Sequence, residues 1–259
     1  MLRRWLPRRL EHGEEATLVE HLDELRSRLI VSLVALVPAF VVAFAFHDQL
    51  IRWLTKPLPG DVKLVTLGVT EPFTTSMKVS FYAALAMMLP VVLYQIWAFL
   101  APAVEENVQR VLATFVALAT SLFVVGVLFG YFVVLTPAVS FLTGFDSNLY
   151  DTQVRASYYI TFATLLLFAM GIVFELPIFI LALVRLRVLS AAKLRRNRRT
   201  GYVVMLVIAI LLPTVDPVSL LFETLPLILL YELSILLSAL MERRWRRSWD
   251  EEPLEAGTS

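Results

Sequence analysis

Five long apolar runs divide this chain, and each is long enough to cross a lipid bilayer as a helix. A spanning helix needs about 20 apolar residues, because the hydrocarbon core is roughly 30 Å thick and a helix rises about 1.5 Å per residue. Hydrophobic residues make up 58% of the sequence and charged residues only 17%. These proportions are typical of a polytopic membrane protein. The runs are residues 29–46, 81–101, 111–135, 158–184 and 218–241.

A sixth apolar run, residues 202–212, is short, and the distribution of positive charge decides whether it is a span. Cytoplasmic loops of membrane proteins carry an excess of Lys and Arg. If the short run crosses the membrane, both termini lie on one side together with 18 of the 23 Lys and Arg residues. Omitting it would move the arginines of the C-terminal tail to the opposite side. We therefore predict an all-α protein with six transmembrane helices, both ends cytoplasmic, whose fifth and sixth helices form a short hairpin.

The short fifth helix leaves the far end of this hairpin shallow in the bilayer. Eleven residues cover about 16 Å, roughly half of the hydrocarbon core. Either the bilayer is thinned there, with the turn below the headgroups, or the helix is buried and shielded by its neighbours. The predicted domain organisation is a cytoplasmic tail over residues 1–20, a membrane domain over 21–241 and a second cytoplasmic tail over 242–259.

Prolines inside the helices predict kinks, and one pair of glycines predicts close packing. Membrane helices tolerate an internal proline where neighbours satisfy the freed carbonyl group. Gly126 and Gly130 are four residues apart on the third helix, a spacing typical of close helix–helix approach. The prolines inside the predicted helices are Pro38, Pro90, Pro177 and Pro226.

The sequence carries no recognisable catalytic or metal-binding motif. It has no phosphate-binding loop, no dinucleotide fingerprint and no HExxH pair. It has no cysteine, which excludes disulfides and thiolate chemistry. The three histidines, His12, His21 and His47, have no metal-ligating partner at a suitable spacing. We therefore expect neither an enzyme nor a protein with a cofactor or metal site.

Glu175 is the acidic residue that lies deepest in an apolar run. An ionisable group at that depth costs several kcal/mol unless it pairs, is protonated or meets water. Thr161, Thr164, Phe168 and Gly171 precede it at helical spacing and form a small, partly polar stripe. One interpretation is a hydrogen bond between protonated Glu175 and a neighbouring helix of the same chain. The other is a groove in which Glu175, Thr164 and Gly171 contact the membrane helix of a partner.

Three further acidic residues belong to the last hairpin. Asp216 stands in the turn before the sixth helix and is a candidate N-cap, worth about 1 kcal/mol. Glu232 lies further along that helix, about two turns from the inner arginine cluster, with which it can pair. Glu223 has no explanation from pattern alone. Asp216 and Glu223 are also candidates for contact with a partner helix.

A dense charge cluster, HLDELRSRL, precedes the first apolar run. Glu20 and Glu24 are four residues apart and share one helix face, and Glu24 and Arg28 have the favourable acid-first spacing. This pattern has two interpretations. It is either a solvated helix start with internal ion pairs, or an acidic docking site for a cationic ligand at the membrane surface.

Several stretches together resemble the TatC family, the polytopic subunit of the twin-arginine protein translocase. The resemblance runs from about His21 to Met241 and follows the same order and spacing. It rests on the stretches HLDELRSRL, TEPFTTSMKVS, LPVVLYQIWAFLAPA, GYFVVLTPA, FELPI, LLPTVDPVS and LYEL.

The resemblance implies a cytoplasmic receptor for signal peptides that carry paired arginines. It assigns signal-peptide binding to Glu24, Leu25, Arg26 and Phe99. In many members a second glutamate of the first cytoplasmic loop also binds the peptide; the ungapped match places Val108 there, and we assign that role to nearby acids of the loop. These acids are Glu105 and Glu106.

The resemblance also implies structural positions and an intramembrane contact. Pro57 and Pro102 match prolines of the first outer and first cytoplasmic loops, and we add Glu71 as a third structural residue. Glu175 matches the intramembrane acid of the fourth helix. Leu220 stands where many members have glutamine, with Glu223 one turn further on.

The implied partners are TatA- and TatB-type single-span subunits, twin-arginine signal peptides of folded cargo and membrane lipid. The family context further implies a homo-oligomer within a hetero-complex, located in the bacterial cytoplasmic membrane and driven by the proton-motive force, with no nucleic acid. Two alternatives remain open: a proton-coupled small-molecule transporter with Glu175 as proton carrier, and a structural membrane scaffold.

Overall fold

The computed structural model describes residues 18–60, 62, 64–100, 108–149, 152–186, 188–214 and 216–251. Nearly all of these residues are helical, which confirms the predicted fold class. The helices are α1 (Leu18–Ala45), α2 (His47–Thr55), α3 (Glu71–Leu100), α4 (Val108–Phe129), α5 (Thr136–Gly144), α6 (Ala156–Phe174), α7 (Leu176–Arg185), α8 (Ala191–Arg196), α9 (Arg198–Leu211) and α10 (Pro217–Glu251).

The described residues also contain a short strand pair that the all-helical prediction did not include. Strands β1 (Leu64–Val65) and β2 (Val154–Arg155) run parallel, with Leu64 paired to Val154. Each strand has only two residues, so the pair joins two loops without forming a separate layer.

Five segments are long and apolar enough to cross a membrane within the described ranges. They are Leu22–Ala45, Glu71–Ile96, Ala113–Gly144, Ala156–Arg185 and Pro217–Glu242. The predicted short fifth helix is α9, which has 14 residues. At about 1.5 Å per residue it measures roughly 21 Å, less than the hydrocarbon core. It packs against α10, as expected for a short hairpin.

The second membrane helix begins ten residues earlier than hydropathy predicted, at Glu71 rather than at residue 81. Its first turns are polar, but their hydroxyl groups bond to the helix itself. Ser76 donates to the Pro72 carbonyl at 3.0 Å, and Ser80 donates to the Ser76 carbonyl at 2.7 Å. Such bonds satisfy the serine hydroxyl groups within the helix. The apolar run in the sequence is therefore shorter than α3.

The third membrane helix changes its winding between α4 and α5. Residues Gly130–Leu135 form a π-helical segment, in which the Thr136 N–H donates to the Tyr131 carbonyl five residues earlier. The Thr136 hydroxyl donates to the same carbonyl at 2.9 Å. Pro137, in the first turn of α5, has no N–H to continue α-helical bonding. A single wide turn accommodates that loss.

The fourth membrane helix is interrupted between α6 and α7, at Glu175. The Glu175 N–H donates to Ile172, three residues back, at 3.0 Å, and Pro177 follows in the first turn of α7. This agrees with the kink predicted at Pro177. Pro38, Pro90 and Pro226, by contrast, lie inside continuous helices.

The chain divides into two compact units. The first contains Met1–Ser121 and Gln153–Thr164. In it, α1 packs antiparallel along α3, and α2 also contacts α3. The buried Tyr159 hydroxyl donates to the Leu54 carbonyl at 2.7 Å and so joins the start of α6 to the end of α2.

The second unit contains Leu122–Thr152 and Leu165–Ser259, and α10 contacts most of its other helices. The predicted glycine pair packs α4 closely against α6. A Cβ at Gly126 would lie 2.7 Å from the Met170 carbonyl oxygen and from Cβ of Phe174, and one at Gly130 would lie 3.1 Å from Cβ of Met170. Only glycine leaves room for this approach.

Candidate functional site

The charge cluster at the start of α1 forms the predicted ion pair between Glu24 and Arg28. Nε and Nη2 of Arg28 both donate to Oε1 of Glu24, at 3.0 and 2.5 Å. The first of the two interpretations, a solvated helix start, is wrong in one respect, because the side chains are only 12% (Glu24) and 13% (Arg28) exposed. The pair is therefore largely screened from water although it lies at a helix end.

Arg28 also joins α1 to the end of α3. Its Nη1 donates to Oε1 of Gln95 at 3.0 Å, and its Nη2 donates to the Ala98 carbonyl at 3.3 Å. These bonds bring α1 to the last turns of α3, which include the half-buried Phe99. Two predicted binding residues that are 75 positions apart thus belong to one end of the same helix pair.

The other predicted signal-peptide residues fall into two groups. Leu25 and Arg26 are exposed at the start of α1. Glu105, Glu106 and Pro102 lie in residues 101–107, outside the described part of the chain. Their roles stay predictions.

Gln95 and its bond to Arg28 were missed in the sequence. The available signal was a lone amide within the apolar stretch LPVVLYQIWAF. A polar side chain in such a run usually meets a polar partner on another helix. The pattern did not indicate which helix supplies that partner.

Glu71 occupies a very different environment at the start of α3. Its carboxylate is 5% exposed and pairs with Nε of Arg155, at 3.0 Å to Oε1 and 3.2 Å to Oε2. It also accepts from the backbone N–H groups of Leu67 (2.9 Å), Gly68 (3.3 Å) and Ser157 (3.1 Å). The hydrogen bond to Glu71 is the main cause that raises the pKa of Arg155.

This arrangement supports the structural role predicted for Glu71. One carboxylate ties the loop before α3 to the start of α6, beside the β1–β2 pair. Its partner Arg155 was missed, because 84 residues separate the two and no local pattern connects them. Pro57 is half-buried in the turn that follows α2, and its predicted structural role is not tested by any contact.

Glu175 lies where α6 meets α7. Both of its carboxylate oxygens are buried and have no hydrogen-bond partner within the described residues. The predicted bond to a neighbouring helix of the same chain is therefore not seen there. A buried carboxyl group without a partner carries a large desolvation cost.

The stripe that precedes Glu175 is partly occupied within the chain. Phe123 packs edge-on against Phe168, and the space beside Gly171 is filled by the Phe123 ring. Thr164 is buried, and its hydroxyl has no hydrogen-bond partner within the described residues. Gly171 thus contacts α4, and contact of Thr164, Gly171 and Glu175 with a partner helix stays a prediction.

The acids of the last hairpin have separate partners. Asp216 caps α10, because its Oδ1 accepts from the Ser219 N–H at 2.8 Å, which confirms the predicted N-cap. Glu223 is fully buried and accepts from the Thr214 hydroxyl at 2.8 Å. Their contact with a partner helix is not tested.

Glu232 pairs with an arginine, as expected, and this arginine is the first residue of α9. Nη2 of Arg198 donates to Glu232 at 2.9 Å, and the Tyr202 hydroxyl donates at 2.5 Å. Within the described ranges no group of three or more His, Asp or Glu residues could hold a metal ion.

Comparisons with known proteins agree on one family. The model of the family "Sec-independent protein translocase protein (TatC)" matches residues 20–226. A TatCd protein of Bacillus subtilis is 35% identical over 234 residues, which are 90% of this chain and 96% of that protein. A TatC protein of Carboxydothermus hydrogenoformans is 33% identical over 224 residues, which cover 86% of this chain and 92% of the relative.

A solved structure shares the fold. The crystal structure of the twin-arginine translocase receptor TatC in the detergent DDM superposes with a TM-score of 0.76 at 34% identity. The match covers 84% of this chain and 99% of that one.

Proposed function

Because this chain belongs to the TatC family, we propose that it is the receptor subunit that binds twin-arginine signal peptides for its translocase. Family membership makes it a multi-pass membrane component of a Sec-independent protein translocase and not an enzyme. The peptide specificity, the partner subunits and the energy source are parts of the proposal. Membership favours protein export over the small-molecule transporter and the passive scaffold.

The observation that carries the proposal is the position of Glu24. It is a carboxylate held in a mostly desolvated setting, at the same end of a helix pair as the half-buried Phe99. A guanidinium fork matches a carboxylate with two parallel hydrogen bonds, and burial strengthens such bonds. An arginine of the signal peptide is the ligand that fits this acceptor best.

The surroundings of Glu24 suit the rest of a signal peptide. Such peptides have a positively charged start followed by an apolar segment of 7–15 residues. Leu22, Leu25, Leu29 and Leu33 follow one side of α1 and are exposed. The arginines would contact Glu24 while the apolar segment lies against these leucines.

We place this site at the cytoplasmic face of a bacterial cytoplasmic membrane. The reason is that 18 of the 23 Lys and Arg residues fall on that side if both termini are cytoplasmic. The predicted orientation can be tested with single cysteines introduced at Ser190 and at Thr66 of this cysteine-free chain, labelled with a thiol reagent that does not cross the membrane. We expect the reagent, applied from outside, to label the cysteine at position 66 and not the one at position 190. Labelling at position 190 alone would show that the chain has the opposite orientation in the membrane.

The proposed complex contains TatA- and TatB-type single-span subunits, several copies of this chain, folded cargo and lipid, and it uses the proton-motive force. Glu175 is the proposed contact for a partner's membrane helix, together with Thr164, Gly171, Asp216 and Glu223. The carboxyl oxygens of Glu175 have no hydrogen-bond partner within the described residues. This supports the role, because a polar side chain on a partner helix would satisfy them once the buried carboxyl group turns outward.

Site-specific photocrosslinking tests the receptor assignment. A photoreactive residue at Leu25, and separately at Val41 near the other end of α1, would be exposed to a labelled twin-arginine peptide. Both positions are exposed, so accessibility alone does not distinguish them. Crosslinking from Leu25 but not from Val41 is expected, and equal or reversed yields would contradict the site.

A further inference from the structure

The junction of α8 and α9 places five exposed cations within seven residues, a cluster we call the basic corner. Two carboxylates of α10 lie at this corner: Glu232 pairs with Arg198, and Glu242 accepts from the Ala191 N–H at 2.9 Å. The corner therefore has a surplus of positive charge. Its cations are Lys193, Arg195, Arg196, Arg198 and Arg199.

The basic corner is fixed to α10 by contacts on both sides of the junction. The buried Tyr231 hydroxyl donates to the Leu194 carbonyl at 3.2 Å. A Cβ at Gly201 would overlap the ring of the same tyrosine, so only glycine lets the start of α9 approach α10 this closely. The cations of the corner consequently have a defined position relative to α9.

The start of α9 also favours an anion. The first N–H groups of a helix have no partner within it and form the positive end of the helix dipole, which suits phosphate groups. Ser190 caps α8 by accepting from the Lys193 N–H at 3.2 Å. Asn197 stands at the corresponding position before α9, but its side chain makes no capping bond.

An exposed apolar stripe of α9 continues from the basic corner. Arg199, Val203, Leu206 and Ile210 are separated by four, three and four residues and therefore share one face. The three apolar side chains are 60%, 42% and 59% exposed, whereas Met205 on the other side is buried. From Arg199 to Ile210 the stripe measures roughly 16 Å, which is close to half of the hydrocarbon core, or one lipid leaflet.

We propose that this face of α9 binds an anionic phospholipid of the cytoplasmic leaflet. The phosphate contacts Arg199 and the start of α9, the neighbouring cations of the basic corner attract it, and an acyl chain lies along the stripe. The proposal rests on the orientation proposed above, which places this end of α9 in that leaflet. Clusters of four to eight Lys and Arg residues directly cytoplasmic of a membrane helix are typical of anionic-lipid binding.

The composition of the stripe favours a lipid over the membrane helix of a partner. Interfaces between membrane helices are enriched in small residues and in polar residues that bond across them. The stripe offers only the branched aliphatic side chains of Val203, Leu206 and Ile210. None of the residues proposed above for contact with a partner helix lies on it.

Fluorescence quenching by brominated lipid tests the proposal on the full chain in nanodiscs. A fluorophore on Val207→Cys, which lies beside the stripe and is 50% exposed, reports the lipid at this face. Brominated phosphatidylglycerol is compared with brominated phosphatidylcholine that has the same acyl chains. Phosphatidylglycerol should be preferred by about tenfold, since each cation contributes about fivefold. A fluorophore on Val125→Cys of α4, which is 52% exposed, should show almost no preference.

Charge variants identify the cations that cause the preference. Arg199→Gln should lower it at position 207 by about fivefold, the contribution of one cation. Adding Arg195→Gln should remove it almost completely. Arg52→Gln, which removes an exposed arginine of α2, should leave it unchanged. If Arg199→Gln does not yield monodisperse protein, Arg195→Gln alone decides, and an unchanged preference there overturns the site.

Three further results would overturn the proposal. Equal preference at positions 207 and 125 would show a general attraction of anionic lipid to the protein. Weak quenching by both lipids at position 207 would show that a second copy of the chain covers this face. An unchanged preference in the Arg199→Gln variant would exclude the phosphate contact.

The outcome is independent of the receptor proposal, because the assay uses no signal peptide. A chain that prefers phosphatidylglycerol at position 207 but does not bind a twin-arginine peptide would contradict the receptor function alone. A chain that binds the peptide without this preference would contradict the lipid site alone. Because both leaflets of a nanodisc contain the brominated lipid, the orientation of the chain does not affect the readout.

Discussion

The two ends of α3 each hold a glutamate paired with an arginine, but the two carboxylates are bonded differently. At the start of the helix, Glu71 accepts from Arg155 and from three backbone N–H groups. At the other end, one oxygen of Glu24 accepts two hydrogen bonds from the side chain of Arg28. Backbone N–H donors cannot move away from the carboxylate unless the segments that carry them unfold. Side-chain donors can rearrange around a ligand.

This difference predicts two roles from one type of ion pair. The carboxylate bound by backbone groups of the loop before α3 and of the start of α6 should determine stability. The carboxylate held by a side chain at the membrane surface should determine recognition.

The largest effect is expected at Glu24. Glu24→Lys removes the acceptor and adds a repelling charge, so binding of a twin-arginine peptide should weaken by at least roughly a hundredfold. Peptide crosslinking to the purified, correctly inserted protein measures it. Asp23→Lys makes the same change of charge at the neighbouring exposed residue and should reduce the yield far less. Equal losses in the two variants would show a general charge effect and not a defined acceptor.

Glu71 should show the opposite behaviour. Glu71→Ala leaves Arg155 and three N–H groups without their acceptor, and we expect the Tm to fall by roughly 5 °C. Thermal unfolding followed by the loss of monodisperse protein gives the Tm, and peptide titration gives the affinity of the fraction that remains folded. That affinity should stay close to its normal value. A normal Tm with weakened peptide binding would remove the distinction between the two ends of α3.

Glu175 has a third kind of environment. Its carboxyl group is buried, and the oxygens have no hydrogen-bond partner in the described part of the chain. Interhelical hydrogen bonds in membranes are worth about 0.6–2 kcal/mol. Glu175→Ala should therefore leave peptide binding largely intact and impair export of a reporter cargo.

Glu175→Gln should retain part of the export, because an amide still forms hydrogen bonds. If Gln is as defective as Ala, proton exchange at Glu175 is required, as the transporter alternative would demand. If Ala abolishes peptide binding as fully as Glu24→Lys, Glu175 belongs to the receptor site or to the fold.

The smallest effect is expected at the exposed pair of α2. Arg52→Gln breaks an i,i+4 ion pair whose partners are mostly in water. Exposed pairs contribute little to stability, so the Tm should change by less than about 1 °C. Differential scanning of Arg52→Gln beside Arg155→Gln makes the comparison. A similar drop in both would mean that burial and backbone donors do not explain the role of Glu71.

Much of the fold was predictable because hydrophobic length and charge asymmetry are local properties of the sequence. The spans and the short fifth helix follow from them, and the kink at Pro177 follows from the proline itself. The start of α3 was not predictable, because its serines hide their hydroxyl groups against the helix. The π-helical turn after Phe129 was not predicted either, because its bonding pattern depends on Pro137 and Thr136 together.

The candidate site was predictable only where its contacts lie within one helix. The spacing of Glu24 and Arg28 gave their ion pair, and the position of Asp216 gave the cap of α10. The bonds of Arg28 to Gln95 and of Glu71 to Arg155 join residues 67 and 84 positions apart. Such partners depend on how the helices pack, which periodicity does not determine.

The most direct test of the division between the two ends of α3 compares Glu24→Gln with Glu71→Gln. Both variants remove one negative charge and keep the shape of the side chain. Each protein would be assayed for its Tm and for its affinity for a twin-arginine peptide. The expected result is a crossover: Glu24→Gln loses affinity by about tenfold or more at a nearly normal Tm, and Glu71→Gln loses thermal stability at a nearly normal affinity. Parallel losses of both properties in both variants would contradict it.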